Sequence, residues 1–137
     1  MTKFYGVTET SLYQVEATAN GPKAEKIAIR TGAESPNAPV GTVLTNGNRL
    51  AITKDGLVMF ENRKPLEQQN TRFWGGSTRP IIALFADEGR ARECLEAENL
   101  TAADPRWIES TLSVARAIKD EPQFYVCQSP TLKLVTV

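Results

Sequence analysis

The sequence predicts an α+β fold, a mostly antiparallel β-sheet with an N-terminal β-meander and two helices packed on one face. Three observations lead there. Period-two alternation and turn residues fill the first half, two capped amphipathic segments follow Ala86, and short strand-like runs close the chain. Strands and helices that are segregated rather than alternating argue for α+β. A length of 137 residues suits one domain spanning 1–137, enough to bury a core without staples.

In Ser11 to Thr18, Tyr13, Val15 and Ala17 share one face, while Gln14, Glu16 and Thr18 share the other. That alternation marks a half-buried strand. Asn20-Gly21-Pro22 is turn chemistry. Lys26 to Thr31 alternates again, so the two runs are expected to form a hairpin. Pro36 and Pro39 keep Gly32 to Pro39 a loop.

Val43 to Leu50 sets Asn46-Gly47 between two β runs. Asn-Gly suits the type I′ hairpin turn, whose central residues need positive φ. The expected pairs are Thr45 with Asn48 and Val43 with Leu50. At Lys54-Asp55-Gly56, a three-residue loop with Gly56 in a bulge pairs Ile52 with Val58 and Leu50 with Phe60. Four apolar residues then share a face. Val40 to Glu61 thus reads as a three-stranded meander.

Asn62 to Arg79 shows neither helical nor strand periodicity and reads as a long loop holding Arg, Trp and Gly. Loops of that length in a small domain are commonly functional. Pro80 to Ala86 is an apolar run suited to a central strand. Asp87 is a natural N-cap, and Ala91, Cys94 and Leu95 form a helical stripe behind it. Asp104-Pro105 opens a second helix, with Ile108, Thr111, Leu112, Ala115 and Ile118 on one face, flanked by Trp107 and Val114. It ends near Lys119. Gln123 to Cys127 and Leu132 to Val137 read as closing strands.

Composition closes several chemistries. Histidine is absent, so the chain holds no His general base, no Ser–His or Cys–His pair and no His-ligated metal. Cys94 and Cys127 lie on different elements without CxxC spacing, too few thiols for a zinc site. They read as small buried hydrophobes, and sequence alone leaves their pairing open. Lys plus Arg and Asp plus Glu both number 16, and no aromatic ladder accompanies Arg49, Lys54, Arg63 and Lys64. Neither fact favours nucleic acid. No apolar run follows Lys3 and none is long enough to span a bilayer, so the expectation is a cytoplasmic protein away from membranes.

Two candidate sites remain. The first is Arg72, Phe73, Trp74, Gly75, Gly76 and Arg79. Arginine offers a planar fork for carboxylate or phosphate, the aromatics offer flat faces, and the glycines let backbone approach a ligand. Phe73 and Trp74 could equally plug the core beneath a surface loop. The second is Asp87 and Glu88, at the end of the apolar strand, where carboxylates can hold a ligand or a cation, although helix capping explains both. Glu93, Glu96 and Glu98 read as a solvated helix face.

The functional expectation is a small non-catalytic binding module acting through a protein–protein interface, with no cofactor and no metal. An edge strand such as Leu132 to Val137 would allow a homodimer. One alternative is an enzyme or binding protein for a phosphorylated small molecule or nucleotide. In that reading Arg72 and Arg79 grip phosphate, and Asp87 or Glu88 acts as base or metal ligand. A nucleic-acid accessory protein is the third reading.

Overall fold

A computed structural model describes residues 3–33, 38–44, 47–53, 56–62, 71–98 and 104–126, and of 58–62 and 71–77 the backbone alone. Its first sheet has the order β4-β3-β2-β1-β8, built from β1 (Lys3–Val7), β2 (Ser11–Thr18), β3 (Gly21–Ile29), β4 (Val43–Leu44) and β8 (Ala83–Phe85). All its pairings are antiparallel. The second sheet has the order β7-β6-β5-β9, from β5 (Arg49–Thr53), β6 (Gly56–Asn62), β7 (Thr71–Ser77) and β9 (Phe124–Val126). Helices α1 (Glu88–Leu95) and α2 (Pro105–Ile118) lie between β8 and β9 in the chain. The α+β class, the N-terminal run of strands and the two helices are as the sequence predicts.

The first sheet is buried on both faces. Phe4, Tyr13, Val15 and Ala24 join a core with Leu50, Ile52 and Leu57 of the second sheet, Val114, Ala115 and Ile118 of α2, and Phe124. Tyr5, Val7, Leu12, Ala83 and Phe85 join a second core with Ala91, Cys94 and Leu95 of α1 and with Trp107. Alternation along β1 sends Phe4 to one core and its neighbour Tyr5 to the other. This also explains why β1 carries no sequence signal: Phe4, Tyr5 and Val7 are all apolar, so no polar face betrays the strand.

Local chemistry placed the caps and the first hairpin. Asp87 accepts from the Arg90 amide at 3.0 Å, and Asp104 accepts from the Arg106 amide at 2.9 Å, with Pro105 opening α2. The hairpin of β2 and β3 forms as expected, but Thr18 pairs with Gly21, so Ala19-Asn20 makes the turn and Pro22 already lies in β3.

Long-range packing overrode local signals elsewhere. The expected Asn46-Gly47 hairpin does not form. Val43 and Leu44 pair with Glu25 and Ala24 of β3, while Leu50 and Ile52 belong to the other sheet. The predicted Val40–Glu61 meander is therefore split between two sheets. Leu50 and Ile52 are fully buried, at roughly 1.5–3 kcal/mol each, which outweighs the preference of one turn. Asn46 itself lies outside the described residues.

The register at Gly56 differs too. Thr53 pairs with Gly56, Ile52 with Leu57 and Leu50 with Met59, so the expected pairs Ile52–Val58 and Leu50–Phe60 are not made. The cause is Gly56. Its φ is +135°, and a Cβ there would stand 2.4 Å from the Thr78 carbonyl oxygen. The strand must start where that chain crosses. Thr78 then locks the crossing: its hydroxyl accepts from the Leu57 amide at 2.9 Å, and its own amide donates to the Leu57 carbonyl at 3.0 Å.

The expected 62–79 loop contains a strand, β7, paired antiparallel to β6 with a register irregularity between Val58 and Phe60. Gly75-Gly76 and the adjacent Phe73-Trp74 break the period-two signal that would have revealed it. Among the described residues the Pro80–Ala86 run gives an edge strand rather than a central one, because β8 pairs there with β1 alone. Its apolar character follows from the helix that covers its open side. The Ser110 hydroxyl donates to the Leu84 carbonyl at 2.9 Å, and the Leu84 amide donates to the Thr111 hydroxyl at 3.1 Å. Two hydroxyls of α2 thus replace the missing neighbour strand. β9 runs parallel to β5 in the second sheet and not beside β8. Cys127 and the Leu132–Val137 strand lie outside the described residues.

Candidate functional site

The residues singled out from sequence fall on β7, on the chain just after it, and at the start of α1. Arg72, Phe73, Trp74, Gly75 and Gly76 lie on β7, where Phe73 is in register with Phe60 and Arg72 with Glu61. Arg79 is exposed, and its guanidinium donates to Glu9 at 2.7 Å. Asp87 and Glu88 stand past the other end of β8 from Arg79, so these three do not converge.

Asp87 and Glu88 are also occupied. Asp87 caps α1, and Glu88 pairs with Arg92 at 2.8 Å across one helical turn. Cys94 is fully buried, and burial pushes its thiol from about 9.0 up to about 12. A nucleophilic thiolate needs the opposite environment. No cluster of three or more Cys, Asp or Glu suited to a metal occurs among the described residues.

One concavity does form at the end of β8. It has a volume of about 310 Å³, and β8, α1 and α2 wall it. Phe85 is at its base, Asp87 and Arg90 come from the α1 side, and Arg106, Glu109 and Ser113 from α2. The walls are set by features already described: Asp87 starts α1 at this point, and Ser110 and Thr111 hold α2 against β8.

Both arginines rest on aromatic rings. The Arg90 guanidinium lies over Phe85 at 5.9 Å, and that of Arg106 lies over Trp107 at 4.7 Å. Arg106 grips Asp104 through Nε and Nη2, at 3.0 and 2.6 Å. These bonds hold the Asp104 carboxyl below the usual carboxylate range and raise the guanidinium above its own. Arg90 bonds no carboxylate among the described residues, whereas Arg79, Arg92 and Arg106 each bond one.

Sequence reasoning expected Asp87 at the end of the apolar strand, and it lines this cleft; Arg90 and Arg106 in the same lining were not singled out. Spacing does not single Arg90 out, since Asp87 and Glu93 stand three residues either side of it, as Glu88 stands four before Arg92. Comparison with known protein families, curated proteins and solved structures finds no match to this chain.

Proposed function

We propose that this protein is a non-catalytic binding module that engages a protein partner at the cleft between β8, α1 and α2. The observation that carries the reading is how the chemistry-bearing side chains are used. Arg79, Glu88, Arg92 and Asp104 are spent on ion pairs, Asp87 on a helix cap, and Cys94 on the core. Arg106 is spent on Asp104 in the same way, and what faces solvent in the cleft without a carboxylate partner among the described residues is Arg90, with Glu109 and Ser113 in the same lining. Arginine and aromatic residues are the groups enriched where protein interfaces hold most of their binding energy. A cleft of about 310 Å³ has room for a partner's side chain.

The test fills the cleft without changing its charge. Ser113 is exposed on α2, so Ser113→Trp should fold normally. Tagged wild-type and variant chains are used to capture partners from the native cell, with quantitation by mass spectrometry. A partner retained by the wild type and lost with Ser113→Trp is expected. Equal recovery by both chains would sink the reading.

A further inference from the structure

The groups in the cleft select one ligand chemistry. The Arg90 guanidinium is exposed, lies 5.9 Å from the centroid of the Phe85 ring, and is bonded to no carboxylate among the described residues. Arg106, across the cleft, uses Nε and Nη2 on Asp104 and leaves Nη1 out of that grip. The planar fork of guanidinium donors suits a carboxylate, which accepts paired N–H bonds. Two acidic groups line the same space, Asp87 and Glu109. They repel a doubly charged phosphate more than a single carboxylate.

Resting on the binding-module reading, we propose that the cleft receives an aspartate or glutamate side chain of the protein partner, with Arg90 as its anchor. The carboxylate lies against the Arg90 fork, the Arg106 Nη1 adds a second cation, and the Ser113 hydroxyl is within the same lining to donate. Glu109 sets the upper limit of one negative charge.

The experiment is a titration of the full chain followed by ¹⁵N–¹H NMR, read at the Arg90 Nε–Hε signal and the Glu109–Ser113 amides. The probes are acetyl-Gly-Glu-Gly-amide, its Gln counterpart and inorganic phosphate. The Glu peptide should shift these signals and bind about tenfold more tightly than the Gln peptide, the scale of one charge-assisted contact. Arg90→Gln should erase that difference, and Arg92→Gln, whose guanidinium is held by Glu88, should keep it. Equal binding of the Glu and Gln peptides, or tighter binding of phosphate, overturns the proposal. So does Arg90-dependent dimerisation in sedimentation, which would make the occupant a second copy. If Ser113→Trp abolishes partner capture while the two peptides bind alike, the module reading stands and this inference alone falls.

Discussion

Replacing Thr111 with valine tests how the fold protects the open side of β8. Thr111 is buried, and its hydroxyl works in both directions, accepting from the Leu84 amide at 3.1 Å and donating to the Trp107 carbonyl at 2.9 Å. Valine keeps the shape and the β-branching, so packing and helix propensity change little. The Leu84 amide, on a fully buried residue, then loses its acceptor. An orphaned buried N–H costs about 1–3 kcal/mol. A loss near 2 kcal/mol should lower the melting temperature of a chain this size by roughly 6–10 °C. Urea unfolding gives the stability change, and hydrogen exchange locates it, because the Leu84 amide should exchange faster than its β1 neighbours. Thr111→Ser retains the hydroxyl and should recover that protection. A loss under about 0.5 kcal/mol, with Leu84 as protected as in the wild type, would refute the idea that α2 hydroxyls stand in for a strand.

Gly56→Ala should cost about 2–4 kcal/mol in urea unfolding, because a Cβ there lies 2.4 Å from backbone and φ is +135°; near-neutral behaviour would show that the Thr78 crossing yields easily. Gln123 joins the two sheets, its side-chain amide donating to the Thr18 carbonyl at 2.6 Å and its oxygen accepting from the Thr18 amide at 3.2 Å. Gln123→Ala should lose about 1–2 kcal/mol, and Gln123→Glu should not rescue it, since a carboxylate cannot donate to that carbonyl. Alkaline pH should destabilise the fold through Cys94. Its thiol titrates near 9.0 when unfolded and near 12 when folded, so the native state holds the extra proton between those values. Stability from this group is full below pH 9 and declines as pH rises toward 12, by up to about 4 kcal/mol. Cys94→Ala should flatten that slope in pH-dependent urea midpoints, and an unchanged slope would assign the loss to other groups.

Where a helix signal needed only its own neighbouring residues, the structure agrees. Asp87, Asp104 and Pro105 announce helix starts because a cap needs only its own next few residues. The stripe of Ala91, Cys94 and Leu95 needs only helical periodicity. In α2 the buried stripe runs through Trp107, Thr111, Val114, Ala115 and Ile118, with Ile108 and Leu112 half-buried at its margin. Where a choice depended on distant partners, local reasoning failed. Asn46-Gly47 invites a hairpin, yet Val43 and Leu44 are drawn to the free edge of β3, where Lys26 bonds Gly41 and Thr42. The register at Gly56 is decided by Thr78, more than twenty residues on, and no pattern within the hairpin carries that information. The cleft was half legible for the same reason. Asp87 is visible as a cap, but that Arg90 meets Arg106 follows only from how α2 docks on β8.

That docking ties stability to binding. Edge strands are blunted in many ways, most of which leave nothing concave behind. Here the cover is a helix held by two hydroxyls to a single residue, Leu84, one position before the Phe85 ring that carries Arg90. Ser110 belongs to both functions, since its hydroxyl bonds the Leu84 carbonyl and its side chain lines the cleft. Loosening α2 from β8 is expected to change the spacing between Arg90 and Arg106, because one residue serves both the clamp and the lining. Ser110→Ala removes one bond of about 1 kcal/mol and leaves both arginines in place. If the cleft depends on this clamp, that variant weakens binding of the Glu peptide while the fold persists. If the peptide binds unchanged, the Phe85 and Trp107 rings alone hold the two guanidinium groups in position.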